Sequence, residues 1–244
     1  MNRPQTVASA NAPQAHPMSG AAKALVQNMG KALVGQSKSA KLAVVALLAG
    51  GHVLLEDVPG VGKTLLAKSL SNSIKSDFKR IQCTPDLLPS DVSGVNIYDQ
   101  KDGTFKFVPG PIFTNILLVD EINRATPRTQ SALLEAMEEG QVTSDGNTRA
   151  LPPLFFVIAT QNPIEHHGTF PLPEAQLDRF MISMSLGYPQ ADMESEIIKK
   201  SIQEGGFRVE SILTTEDVMA ARQGVKKIFV HDALVNYIVQ VVQA

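Results

Sequence analysis

The segment Asp57-Val58-Pro59-Gly60-Val61-Gly62-Lys63-Thr64 constrains this chain more than any other. It follows a short apolar run, Val53-Leu54-Leu55, and leads into Leu66, Leu70 and Ile74, which recur at i, i+4 and i+8. An unbroken apolar run before the loop and a helical period after it read as strand, loop, helix. Glycines let successive backbone N–H groups of such a loop turn toward one point, where the helix N-terminus adds partial positive charge. That combination cradles phosphate. Lys63 is spaced to reach the β and γ phosphates of a nucleotide, and the Thr64 hydroxyl to hold Mg²⁺. Pro59, Gly60, Val61, Gly62 and Leu65 complete the expected phosphate-side lining. The pattern departs from G-x-x-x-x-G-K-[ST] at its first position, where Asp57 stands in place of glycine. The mechanism survives this, because the phosphate contacts fall to Gly60, Gly62, Lys63 and Thr64.

Further strands are expected at Phe78–Cys83, Ile116–Val119, Leu154–Ile158 and Met181–Leu186. Short unbroken apolar runs suit parallel strands covered on both faces. Between two of them lies a helix with Thr126 as N-cap, Pro127 in its first turn and Gly140 as its stop. Strands alternating with helices mean an α/β domain with a mainly parallel sheet flanked by helices. Two interruptions, Asn96–Val108 with Asp102-Gly103 and Gln141–Arg149 with Asp145-Gly146, carry the Asp-Gly signal of a β-hairpin. After Tyr188-Pro189 the pattern is wholly helical. Residues 1–20, rich in Ala, Pro, Gln, Asn and Ser, show neither period and are expected to be a disordered arm. The expected organisation is therefore arm 1–20, α/β core 21–188 and a small α-helical lid 189–244.

Two carboxylates, Asp120 and Glu121, end the run Ile116-Leu117-Leu118-Val119. They stand where open α/β sheets bind ligands, with Asp120 suited to Mg²⁺ and Glu121 to the attacking water. Taken alone, an acidic strand end is as readily a solvated one; Lys63 upstream favours the nucleotide reading. The next strand runs into Ala159-Thr160-Gln161-Asn162-Pro163, which puts the Asn162 amide at the same edge, although Asn-Pro is also an ordinary turn. Composition narrows the alternatives. Twenty-two Lys+Arg against 24 Asp+Glu give a net charge of −2, which is not the basic footprint of a general nucleic-acid binder. The single cysteine, Cys83, excludes an internal disulfide framework and reads as a buried strand residue. No apolar run approaches the roughly 18 residues of a membrane helix, and no signal-type run precedes Ala21, so membrane insertion is not expected and the chain reads as cytoplasmic.

The blocks Gly51–Thr64, Gln82–Asp91, Asp120–Ala125 with Ala132–Glu139, and Leu172–Phe180, in this order with two inserted hairpins, resemble those of the MoxR family of AAA+ ATPases. The resemblance implies a P-loop AAA+ fold and a hexameric ring with nucleotide sites between subunits, using ATP and Mg²⁺. It assigns Val34, Gly35 and Gln36 to adenine, Lys63 and Thr64 to phosphate and metal, Asp120 to metal, Glu121 to catalysis and Asn162 to sensing. Arg179 would be an arginine finger acting on a neighbour's γ-phosphate, although a surface ion pair is the alternative. The hairpins would be inserts that touch a protein client, and a partner bearing a von Willebrand factor A domain is implied.

Other residues have plainer readings: His166-His167 as a solvated pair, Glu138-Glu139 as the wet end of a helix, Arg124 and Arg128 as either surface residues or sensors of a neighbouring site. Three functions remain open. An ATP-driven remodeller leads. A nucleotide-gated scaffold with little turnover would need the same loop. A nucleic-acid motor is disfavoured, because the hairpins carry only Lys101, Lys106 and Arg149 as basic residues and no stacking platform. The family pattern continues beyond a second sensor arginine that has no match here, so an incomplete lid is expected.

Overall fold

Five parallel strands form the central sheet, in the order β2-β5-β8-β1-β9. The computed structural model describes residues 17–164, 168–188, 193–195, 197 and 209–243. The strands are β1 (Val53–Glu56), β2 (Phe78–Gln82), β5 (Ile116–Asp120), β8 (Phe156–Gln161) and β9 (Ile182–Met184). Helices α1 (Pro17–Gly30), α2 (Ser37–Ala49), α3 (Lys63–Ser73), α4 (Pro89–Ser93), α5 (Pro127–Glu139) and α6 (Glu174–Leu177) lie among them, and α7 (Thr215–Val225) and α8 (Asp232–Gln243) follow. The fold is the expected α/β P-loop architecture.

Side chains alternate across each strand, and here both faces are apolar. Val53 and Leu55, Ile116 and Leu118, and Phe156 and Ile158 pack with α1, α2 and α3. Leu54, Leu117, Val119, Val157 and Ala159 pack the other way, with Leu133, Leu134 and Met137 of α5. Two covered faces explain why these strands read as unbroken apolar runs. Val218 and Ala221 of α7 join the first cluster, and Arg222 Nε donates to the Leu47 carbonyl at 2.8 Å.

The hairpins are two separate two-stranded sheets, β3 (Gly94–Asp99) with β4 (Thr104–Pro109) and β6 (Gln141–Ser144) with β7 (Asn147–Ala150). The second closes through Asp145 (φ 51°) and Gly146 (φ 74°), the paired positive φ of a type I′ turn. The first closes through a longer loop in which Gly103 N–H donates to the Asp99 carbonyl at 2.8 Å.

Some boundaries differ from expectation. α1 begins at Pro17, inside the segment expected to be an unstructured arm. β8 spans Phe156–Gln161 rather than Leu154–Ile158, because ladder pairing starts at Phe156 opposite Ile116 and continues to Gln161 opposite Glu56. His166-His167 and the expected domain boundary at Pro189 lie outside the described residues. Among those described, no helix is long and apolar enough to cross a membrane.

Candidate functional site

The loop between β1 and α3 turns on two glycines in left-handed conformation, Gly60 (φ 90°) and Gly62 (φ 99°). A side chain at either position would be strained. Gly62 caps α3, so Lys63 and Thr64 open the helix with their N–H groups unused by helical bonding. Lys63 Nζ donates to the Asp57 carbonyl at 2.8 Å. Burial pushes the Lys63 pKa below its ordinary value, opposed by the charges of Asp120, Asp57 and Glu121.

Asp57, the departure from the glycine pattern, is buried and acts as an anchor. Its carboxylate accepts from Ser185 Oγ at 2.7 Å and from the N–H groups of Leu186 and Gly187, which fastens the segment after β9 to the start of the phosphate loop.

The ends of β5, β8 and β2 meet this loop. Pro59, Gly60, Gly62, Lys63, Thr64, Leu65, Arg80, Gln82, Asp120, Glu121 and Thr160 line a single cleft of about 400 Å³. Asp120 is buried and accepts from Arg80 Nε at 2.6 Å and Thr160 Oγ1 at 3.3 Å. Glu121 has left-handed backbone geometry (φ 57°, ψ 51°), uncommon outside glycine and often found where function demands it. Thr160 Oγ1 accepts its N–H at 2.9 Å, and Glu121 Oε2 accepts from Gln82 Nε2 at 2.8 Å and Arg124 Nη1 at 3.0 Å. Cys83 is buried beside these acids; burial and then their charges push its thiol up to about 12, which leaves it inert as a nucleophile.

A second, more apolar cleft of about 410 Å³ shares Gly60, Gly62 and Leu65 with the first and is lined by Ala32, Leu33, Val34, Gln36, Val61, Tyr188, Glu194 and Ile197. Gln36 Nε2 donates to the Val61 carbonyl at 3.1 Å, which fixes the amide and turns its Oε1 to a buried position with no hydrogen-bond partner. Buried acceptors are nearly always satisfied, so this oxygen is open to a donor from a bound ligand or from water. Gly35 (φ 78°) lies against Met193 and does not itself line the cleft.

Two further expected site residues, Asn162 and Arg179, line neither cleft. Asn162 is half-buried, and its Oδ1 accepts from the N–H of Ile164 at 3.2 Å; on β8 the cleft-lining side chain is Thr160. Arg179 pairs with Glu138 at 2.7 Å. Arg80, Gln82, Thr160 and Tyr188 were not among the expected site residues. Arg80 and Gln82 share one strand face by their i, i+2 spacing, a polar alternation that marks them as facing something other than a core.

A glycine loop opening a helix, a lysine in its first turn and two acids at the C-terminal edge of a parallel sheet define a P-loop nucleotide-binding fold. The family model described as "ATPase family associated with various cellular activities (AAA)" matches residues 52–182. The chain belongs to the MoxR family of AAA+ ATPases. It is 52% identical over 231 residues to the uncharacterised protein YeaC of Bacillus subtilis, covering 93% of this chain and 71% of that one. It is 47% identical over 212 residues to Chaperone MoxR1 of Mycobacterium tuberculosis, covering 87% of this chain and 56% of the chaperone. A crystal structure of a protein from Cytophaga hutchinsonii, assigned as an ATPase, superposes with a TM-score of 0.83 at 42% identity over 91% of this chain and 68% of that one. The chain thus spans between about half and three quarters of these relatives' lengths.

Proposed function

We propose that this chain binds ATP with Mg²⁺, hydrolyses it, and uses the cycle for chaperone-like remodelling of protein clients. The observation that carries the reading is the convergence of Lys63, Thr64, Asp120 and Glu121 on one cleft beside the Gly60–Gly62 turn. The residues fit the nucleotide. Gln36 Oε1 is an acceptor in want of a donor, which the adenine amino group has; Val34 lines that end, and Gly35 supplies the turn between the two. Backbone N–H groups from Gly60 to Leu65 and the Lys63 ammonium bind the phosphates. The Thr64 hydroxyl and the Asp120 carboxylate would hold the cation, which would supply neutralising charge to the phosphoryl oxygens. Glu121 orients water and takes its proton; Asn162, just past the end of β8, would assist once its side chain leaves the Ile164 N–H. Arg179 acts on the γ-phosphate of a neighbouring subunit in a hexameric ring.

The remodelling role rests on similarity to Chaperone MoxR1 and on exposed apolar side chains on the first hairpin, with Tyr98 and Phe105 on one face and Ile97 on the other. Tyr98 and Phe105 pair across the strands at 5.2 Å. A client or a partner with a von Willebrand factor A domain would contact such a surface.

Turnover with Mg²⁺ and ATP, measured over a range of protein concentrations, tests the reading. Lys63→Ala should lose nucleotide binding, and Glu121→Gln should keep binding while turnover falls by about 10²-fold or more. Parent turnover no higher than that of Lys63→Ala would remove the hydrolysis claim. Unchanged client recruitment by Glu121→Gln would make the protein a nucleotide-gated scaffold instead.

A further inference from the structure

The carboxylate assigned to the metal already has a cationic partner. Arg80 Nε lies 2.6 Å from Asp120 Oδ2, and the Asp120 side chain is 9% exposed while that of Arg80 is 50% exposed. The carboxylate is therefore enclosed by the protein, whereas the arginine reaches it from the solvent boundary. Its position follows from the fold. β2 is an edge strand paired to β5 with Gln82 opposite Asp120, so Arg80 and Gln82 reach over the end of β5 from the open side of the sheet. Arg80 Nη2 also donates to Gln82 Oε1 at 3.0 Å. Arg80 lines the same cleft as Lys63 and Thr64.

We propose that Arg80 is a resident counter-ion for Asp120 that a divalent cation must displace, so that metal loading and an arginine swing are one event. This rests on the Mg²⁺-nucleotide reading of the cleft. A buried carboxylate needs a counter-charge, and Arg80 supplies it. A guanidinium and a dication drawn to the same carboxylate repel each other in a partly buried site, so each weakens the other's hold on it. Once displaced, the planar fork of Arg80 suits phosphate oxygens in the same cleft, and it no longer orients Gln82. The arrangement makes Asp120 a poor site for free cation and a good one for cation that arrives with phosphate, since phosphate gives Arg80 somewhere to go. Arg80 is then a positioning residue whose effect appears in metal dependence more than in nucleotide affinity.

The test is the affinity for a fluorescent ADP analogue, titrated in Mg²⁺ and again in EDTA, for the parent, Arg80→Met, Arg80→Gln, Arg80→Lys and Lys63→Ala. The quantity read is the ratio of the two affinities, which isolates what the cation adds: a lost phosphate contact lowers it in a neutral variant and lost competition for Asp120 raises it, so only a net rise supports the counter-ion role. Neutral replacements should raise the ratio about tenfold, while Arg80→Lys stays near the parent. Circular dichroism melting selects the variants that fold, and either neutral variant suffices. An unchanged or lower ratio in a folded neutral variant overturns the counter-ion role and leaves Arg80 as a phosphate contact. Parent affinity in Mg²⁺ no better than that of Lys63→Ala overturns the nucleotide reading itself, which is a separate failure.

Discussion

The His52 imidazole is held neutral by its surroundings. Its Nδ1 accepts from the Val157 N–H at 3.0 Å, so the proton resides on Nε2, which donates to the Met137 carbonyl at 3.2 Å. His52 thereby ties the start of β1 to β8 and α5, and its own carbonyl accepts from Met181 at 3.0 Å, which adds β9. Burial lowers its pKa from 6.5 to about 4, with the Arg222 charge contributing in the same direction against the Met137 bond. The unfolded chain takes up this proton between those two values and the folded one does not, so the residue's stabilisation is full above about pH 6.5 and is lost as pH falls through about 4. Urea unfolding of the parent should show roughly 2 kcal/mol of this loss by pH 5, and His52→Gln should lack that part of the slope. Equal slopes would mean that the imidazole is not buried neutral. Residues of this kind mark where the sequence stops being readable. Lys63 and Thr64 were legible because their chemistry follows from spacing within one loop. The role of Asp57 was not, because its partners Ser185, Leu186 and Gly187 lie about 130 positions away and nothing local announces them. Thr160 and Arg80 were missed for the same reason, each acting on an acid of another strand.

At the scale of elements, the strands of the sheet were legible because two apolar faces leave no polar alternation, and the hairpins because Asp-Gly forces a turn. Their mutual contact was not. Arg149 of β7 lies 3.7 Å over the Phe107 ring of β4, and Asn96 Nδ2 donates to Asp145 Oδ2 at 2.5 Å, so the two inserts brace each other. The first hairpin closes at its base through a near contact of two glycines. A Cβ at Gly110 would collide with the Val92 carbonyl oxygen and lie 2.6 Å from the Gly94 nitrogen, both rigid backbone. Gly146, at the tip of the second hairpin, has open space around it and only its positive φ to defend. Gly110→Ala should therefore cost about 3 kcal/mol and expose β3 and β4 to proteolysis, against about 1 kcal/mol for Gly146→Ala. Equal melting temperatures for the two variants would show that the base of the hairpin yields.

For the whole molecule, the described residues bring together one loop, one pair of acids and an adjoining apolar cleft, and Arg179 lines neither cleft. Its partner Glu138 lies at 2.7 Å, and the two side chains are 41% and 49% exposed. An ion pair that wet is worth about 0–1 kcal/mol, so releasing the arginine to another subunit costs little. α8 likewise buries none of its side chains, leaving Leu234, Tyr237, Ile238 and Val242 uncovered, while the relatives compared are longer than this chain. Ring formation must therefore be measured by mass with and without ATP before the finger is tested. If Arg179 acts in trans, Arg179→Ala should lower turnover by about 10³-fold or more without loss of nucleotide binding. A head-to-tail ring joins the loop of one subunit to the arginine of the next. Mixing Arg179→Ala with Lys63→Ala subunits in equal amounts should then restore about one quarter of the sites, since each active site needs the first variant's lysine beside the second variant's arginine. Verified mixed rings that recover nothing would return Arg179 to the surface pair it forms with Glu138.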